Sequence, residues 1–171
     1  MEVGSLPASP ELEQEITAFY AQQFGIPEAF MRGLAIEANK EEIWGGTGVP
    51  LPGIYSVRPI GLRIGRNFPT GFKPTSVFLA ALGPRVSQSR IRIELEDLRK
   101  LLLGQRIPFS GHEEGYVALE YRGDTLGCGR AHKGKLQALI PTGRRKELLE
   151  ILHTQSVSST VNIFYFMPFF F

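Results

Sequence analysis

The sequence predicts an α+β fold: an α+β unit over residues 1–84, then a small barrel of short strands crossed by one helix over 85–171, carrying a C-terminal helix and an apolar tail. Three observations predict it. Nineteen glycines and twelve prolines among 171 residues call for many turns and short strands. Apolar residues recur at helical spacing in a few well-separated stretches. Elsewhere, as in "GYVALEY", apolar and polar residues alternate with the period of a strand. A hydrophobic fraction of 43% and a charged fraction of 21% are globular values.

The elements follow in order. "SPELEQEITAFYAQQFG" offers Ser9 as N-cap and Pro10 at the first helical position. Leu12, Ile16, Phe19 and Tyr20 form its apolar face, and Gly25 ends it. "PEAFMRGLAIEANKEEIW" reads as a short helix giving way to an extended segment near Ile43 and Trp44, and "GGTGVPLPG" as a turn-rich break. "IYSVRPIGLRIGRNF" alternates as a strand, while "TSVFLAAL" fits either a strand or a short helix. The first unit closes near Gly83–Pro84.

In the second unit "SRIRIE" is a short strand and "ELEDLRKLLLG" a helix. Glu94, Glu96 and Asp97 suit its N-terminal dipole, Leu95, Leu98, Leu101 and Leu102 form its stripe, and Gly104 ends it. "GYVALEY" puts Tyr116, Ala118 and Glu120 on one face and Val117, Leu119 and Tyr121 on the other. "RGD" is a tight turn, "TLGCGRAH" a strand with glycine bends, "KG" a second turn, and "KLQALI" a last strand closed by Pro141. "RRKELLEILHTQ" is a helix, and "STVNIFYFMPFFF" an apolar strand and terminus.

Composition narrows the function. One cysteine excludes an intramolecular disulfide framework and a cysteine-rich zinc site, so a reducing, cytoplasmic setting is expected. The first residues lack a basic and apolar leader, and no apolar run reaches the roughly 20 residues that cross a bilayer, so no membrane partner is expected. The net charge of +2 hides a segregated distribution. Residues 1–42 hold eight acids and two bases, whereas 43–93 hold seven bases and no acid. Residues 94–124 are net acidic, and 125–146 again hold six bases and no acid. Acid-free basic stretches make either a scattered solvated surface or the basic face of a phosphate-backbone binder.

Catalytic motifs fail one by one. Cys128 lies between Gly127 and Gly129, and His132 shares its side of the strand but stands about 13 Å away along it. Cys128 is therefore read as packing, not as a nucleophile. The two glycines begin a dinucleotide fingerprint, yet His132 stands where the third glycine belongs and no helix follows. "RGD" at Arg122–Asp124 is a hairpin turn rather than an adhesion signal. His112, Glu113 and Glu114 form a solvated acidic loop without metal-ligand spacing, and most of the acids belong to helix first turns and faces. No cofactor is implied. Binding survives: "GLRIGRNFPTGFKPTS" interleaves Arg63, Arg66 and Lys73 with Phe68 and Phe72, a composition suited to RNA, although both phenylalanines are read as core.

The run "IELEDLRKLLLGQRIPFSGHEEGYVALEYRGDTLGCGRAHKGKLQALIP" resembles a PUA domain, an RNA-binding module. Its order is acidic-start helix, "LLLGQ" turn, "GYVALEY" strand, "LGCGRAHKGKL" hairpin and "IP" close. Preceded by "GLRIGRNFPTGFKPTSVFLAALG", it resembles the pre-PUA plus PUA C-terminal region of Sun-type RNA cytosine-C5 methyltransferases. The resemblance covers roughly Ile54 to Pro141, and more weakly "FYAQQFGIPEAFMRGLAIEANKEEIW". It implies a pre-PUA-like α+β domain over 1–84 and a PUA-like β-barrel domain over 85–171. The family's Rossmann-like domain and its catalytic cysteines have no counterpart in these residues, and Cys128, inside the barrel, does not inherit their role.

In PUA domains RNA lies against the helix, the glycine-containing turn after it and the next strand. That implies Arg99, Lys100, Gly104, Gln105, Arg106 and Tyr116 as contacts. Arg63, Arg66 and Lys73 are expected on the pre-PUA face, and charge alone adds Arg130, Lys133 and Lys135. The expectation is a non-enzymatic protein binding structured tRNA or rRNA in RNA modification or ribosome assembly. The alternative is a subunit docking on a separate RNA methyltransferase or ribosome factor. The tail "VNIFYFMPFFF" admits two readings: a homodimer interface, or core packing against the first unit, which is favoured.

Overall fold

A computed structural model of the chain describes residues 5–46 and 61–157. Helix α1 spans Pro10–Phe24, as its caps predict: Ser9 Oγ accepts the Leu12 N–H at 3.2 Å, and Gly25 closes the helix in the left-handed region at φ 67°. It buries Ile16, Tyr20 and Phe24. The segment after it departs from expectation. Helix α2 is limited to Glu28–Arg32, and Ala35–Asn39 (β2) and Glu42–Gly46 (β3) form a hairpin around a turn at Lys40. Ile36 and Ile43 enter the core, so burial of alternating side chains overrides the helix propensity of the Glu, Ala and Lys residues between them.

Strand β4 covers Leu62–Phe68 and β5 covers Gly71–Pro74. With β1 (Leu6–Pro7) they complete an antiparallel five-stranded sheet ordered β1-β2-β3-β4-β5. The strand expected over 54–60 and the break at 47–53 lie outside the described residues, as does the tail from 158 onward. "TSVFLAAL" resolves as helix α3, Ser76–Leu82, because Thr75 Oγ1 accepts the Phe78 N–H and caps it.

The second sheet contains β6 (Arg90–Arg92), β7 (Ile107–Pro108), β8 (Gly115–Tyr121), β9 (Asp124–His132) and β10 (Lys135–Ala138), ordered β6-β8-β9-β10-β7. It curls into a half-barrel, as the PUA-like α+β fold requires. Arg122–Gly123 and Lys133–Gly134 are two-residue hairpin loops with both residues at positive φ, the geometry that matches strand twist. Helices α4 (Leu95–Leu102) and α5 (Thr142–Val157) pack on one face of this sheet.

Strand β8 is buried on both faces, and this joins the two halves. Val117, Leu119 and Tyr121 enter a second core with Leu98, Leu101, Leu102, Leu136, Leu148 and Leu152. Ala118 points the other way, into the first core, together with Cys128 of β9 and Tyr20, Phe24 and Phe78. The seam also carries directed bonds. The Cys128 N–H donates to Ser76 Oγ at 2.8 Å, Ser76 Oγ–H donates to the Leu139 carbonyl at 3.2 Å, and Gln23 Nε2 donates to the Tyr116 carbonyl at 2.5 Å. Gly127 is bare for a packing reason: a Cβ there would meet Ser76 at 2.8 Å. Cys128 is thus a packing residue, its thiol pushed up to about 12 by burial.

Candidate nucleic-acid interface

Strand periodicity and register build the site. Residues directly opposite one another in paired strands share a face, as do residues two apart along one strand. Tyr116 of β8 stands opposite Arg130 of β9, which stands opposite Gln137 of β10. Two residues along, His132 stands opposite Lys135, itself opposite Pro108 of β7. Arg106, at the start of β7, joins this row by donating its Nε–H to Gln137 Oε1 at 2.8 Å. The face is the one that Ala118 and Cys128 present to the first unit. The first unit therefore covers one end of the face, and at the other end the described residues leave an open platform of Arg106, Tyr116, Arg130, Lys135, Gln137 and His132.

The platform is basic and partly aromatic. Arg106, Arg130 and Lys135 are exposed and Tyr116 is half-buried. The Arg130 guanidinium lies 5.9 Å from the Tyr116 ring centroid, and the edge of Phe19 supports that ring at 6.3 Å. Among the described residues, the one carboxylate paired with the row is Glu114, whose Oε1 sits 2.5 Å from His132 Nδ1. Lys133 extends the positive charge into the adjoining hairpin loop. Arg106, Arg130, Lys133 and Lys135 have no carboxylate partner among the described residues, so their charge is free to act on a ligand.

Four residues implied by the resemblance lie elsewhere. Arg99 and Lys100 belong to α4, Gly104 and Gln105 to the turn after it, and α4 packs on the opposite face of the sheet from Tyr116. The implied set therefore divides, with Arg106 as the link between its two parts. Lys100 is held by Glu96 at 3.4 Å and Asp97 at 3.7 Å, while Arg99 has no ion pair among the described residues. Gly104 adopts φ 86° after the helix.

The first-sheet cations are mostly engaged. Arg63 pairs with Glu42 at 2.7 Å, and Arg66 lies 3.7 Å from Glu41 and 5.1 Å from the Phe68 ring centroid. Phe72 is packed against Phe19 and Tyr20, with centroids at 4.9 and 5.8 Å, and is core as expected. Lys73, opposite Arg66 across β4 and β5, is exposed and lacks an ion pair among the described residues. It lies close enough to Cys128 for its charge to oppose the rise in the thiol pKa, so it borders the seam. Gln137 and His132 join the platform through strand register, which the sequence alone does not give.

No cluster of three or more His, Cys, Asp or Glu is placed to hold a metal ion among the described residues. His132 pairs with Glu114 rather than with Cys128. No described helix is long and apolar enough to cross a membrane.

Comparison with known proteins agrees with the fold. Residues 88–146 match the family model of the methyltransferase RsmF PUA domain. Over 137 residues, 75% of this chain, the sequence is 24% identical to ribosomal RNA small subunit methyltransferase F of Psychromonas ingrahamii, of which the match covers 28%. Over 83 residues, 48% of this chain, it is 26% identical to ribosomal RNA small subunit methyltransferase F of Aeromonas hydrophila subsp. hydrophila, of which the match covers 18%. The chain thus spans less than a third of the length of the curated relatives it matches.

Proposed function

We propose that this chain is a non-enzymatic RNA-binding protein that recognises structured tRNA or rRNA and acts in RNA modification or ribosome assembly. The observation that carries the reading is the platform: three exposed cations and a tyrosine on one sheet face, next to a core that holds them rigid. Such a face positions phosphates with its guanidinium and ammonium groups and offers a ring to an unpaired base. The match of residues 88–146 to the RsmF PUA domain supports the same reading, because the relatives are named for methylating ribosomal RNA. The sole cysteine supports the non-enzymatic part, since a buried thiol pushed up to about 12 is a poor nucleophile at neutral pH.

Filter binding of a tRNA transcript and an rRNA fragment, at about 50 and 200 mM salt, tests the reading. The triple variant R106E/R130E/K135E is expected to bind at least about tenfold more weakly and to show a shallower salt dependence, by about 0.7–0.9 in log–log slope per lost phosphate contact. Unchanged binding and slope in a folded triple variant would remove the platform from the function. If the wild-type chain binds neither RNA, the docking of this chain on a separate methyltransferase or ribosome factor becomes the better reading.

A further inference from the structure

The turn that ends α4 meets the start of α5, where Leu101 and Leu102 share the second core with Leu148 and Leu152. Arg145 lies at this junction, and its guanidinium is poorly satisfied. Its Nη2 donates to Thr142 Oγ1 at 3.0 Å and its Nη1 makes a long bond to the Leu102 carbonyl at 3.5 Å. Its Nε is buried with no hydrogen-bond partner, and no carboxylate pairs with the side chain among the described residues. An arginine has five donor hydrogens, so most of this group's capacity is unspent. A partly buried cation without an anion has lost hydration that nothing replaces.

The neighbouring backbone is shaped around it. Arg145 Nη1 stands 2.8 Å from the point that a Cβ on residue 104 would occupy, so it fills space that glycine leaves open. Gly104 is itself exposed, and the cation is therefore presented beside bare backbone that a ligand can approach closely. Two residues on, Arg106 reaches Gln137 and the platform.

We propose that Arg145, packed beside the Gly104 turn, is itself a phosphodiester-binding residue, which extends the platform past Arg106 and holds the RNA backbone where it leaves the sheet face. The site rests on the RNA-binding reading above and adds a contact to it. A guanidinium fork suits this ligand because phosphate oxygens accept two parallel N–H bonds.

The test uses the full chain and the same tRNA and rRNA probes, titrated across salt. R145Q keeps a polar, hydrogen-bonding side chain but shortens it and removes its charge. It is expected to weaken binding about 5- to 10-fold and to make the log–log salt slope shallower by about 0.7–0.9, the signature of one lost phosphate contact. R145K, which keeps the charge, is expected to keep the slope. G104A, which crowds the guanidinium and strains the backbone at φ 86°, is expected to weaken binding and also to lower the melting temperature. Unchanged affinity and slope in R145Q, while R106E/R130E/K135E weakens binding, would overturn the site and leave the RNA reading standing. A lowered melting temperature in R145Q with an unchanged slope would likewise reduce Arg145 to a brace between helices. If neither variant alters RNA binding, this site and the platform both fall; if the wild-type chain binds neither RNA, the RNA reading itself falls.

Discussion

Arg130 lies with its guanidinium 5.9 Å from the ring centroid of Tyr116, on directly opposed positions of β9 and β8. The pair sits where the first unit stops covering the second sheet, so one residue offers charge and the other a ring at the same place. The two contributions are separable by experiment. Base stacking on an aromatic ring is worth about 1–3 kcal/mol, so Y116A is expected to weaken RNA binding about tenfold with the salt slope unchanged. R130Q is expected to make the slope shallower by about 0.7–0.9. Equal slope changes in the two variants would show that Tyr116 acts only by holding Arg130.

Lys73 and Arg63 provide a contrast on the first sheet. Arg63 is committed to Glu42 at 2.7 Å, whereas Lys73 has no ion pair among the described residues and borders the seam. K73E is expected to weaken RNA binding severalfold, and R63Q to change it by less than about twofold, as an exposed ion pair contributes little. An equal loss in both variants, read by gel shift at fixed salt, would place the RNA across the outer strands of the first sheet instead.

Ser76 ties the two halves together by accepting from the Cys128 N–H and donating to the Leu139 carbonyl. S76A leaves a buried N–H without its acceptor, which costs about 1–3 kcal/mol. Urea unfolding should show that loss, and a single coincident transition by tryptophan fluorescence and far-UV circular dichroism should persist because Ala118 and Cys128 of the second half are buried in the core of the first.

Burial pushes the Cys128 thiol up to about 12 from its ordinary 9.0, so the folded protein holds this proton more tightly than the unfolded chain. The sign follows from linkage: this contribution to stability is complete below pH 9 and is lost progressively as pH rises toward 12. The native protein at neutral pH is expected to resist a thiol-reactive dye, and to react with one equivalent once unfolded in denaturant. Rapid labelling of the native state would contradict the packing role.

The legible parts of the fold are those decided within a few residues. Ser9, Pro10 and Gly25 mark α1 at both ends, the Leu stripe marks α4, and the glycines of Arg122–Gly123 and Lys133–Gly134 mark two hairpin loops because glycine adopts positive φ freely. "AIEANKEEIW" misleads because its Glu, Ala and Lys favour a helix, and the burial that turns it into a hairpin comes from α1 and β4. "TSVFLAAL" is ambiguous for the same reason, its cap at Thr75 being too weak a local signal to choose.

The site divides along the same line. Sequence alone determined that the chain has two acid-free basic stretches, a PUA-like order of elements, and a strand, "GYVALEY", whose side chains alternate between two faces. It did not determine which face is covered. Only the tertiary structure decided that Val117 and Leu119 meet α4 and α5 and that Ala118 meets the first unit. The same packing leaves Tyr116 beside Arg130 at the margin of the seam. Alternation is a local consequence of backbone geometry, whereas cover depends on elements about a hundred residues apart coming together, as Gln23 does with Tyr116.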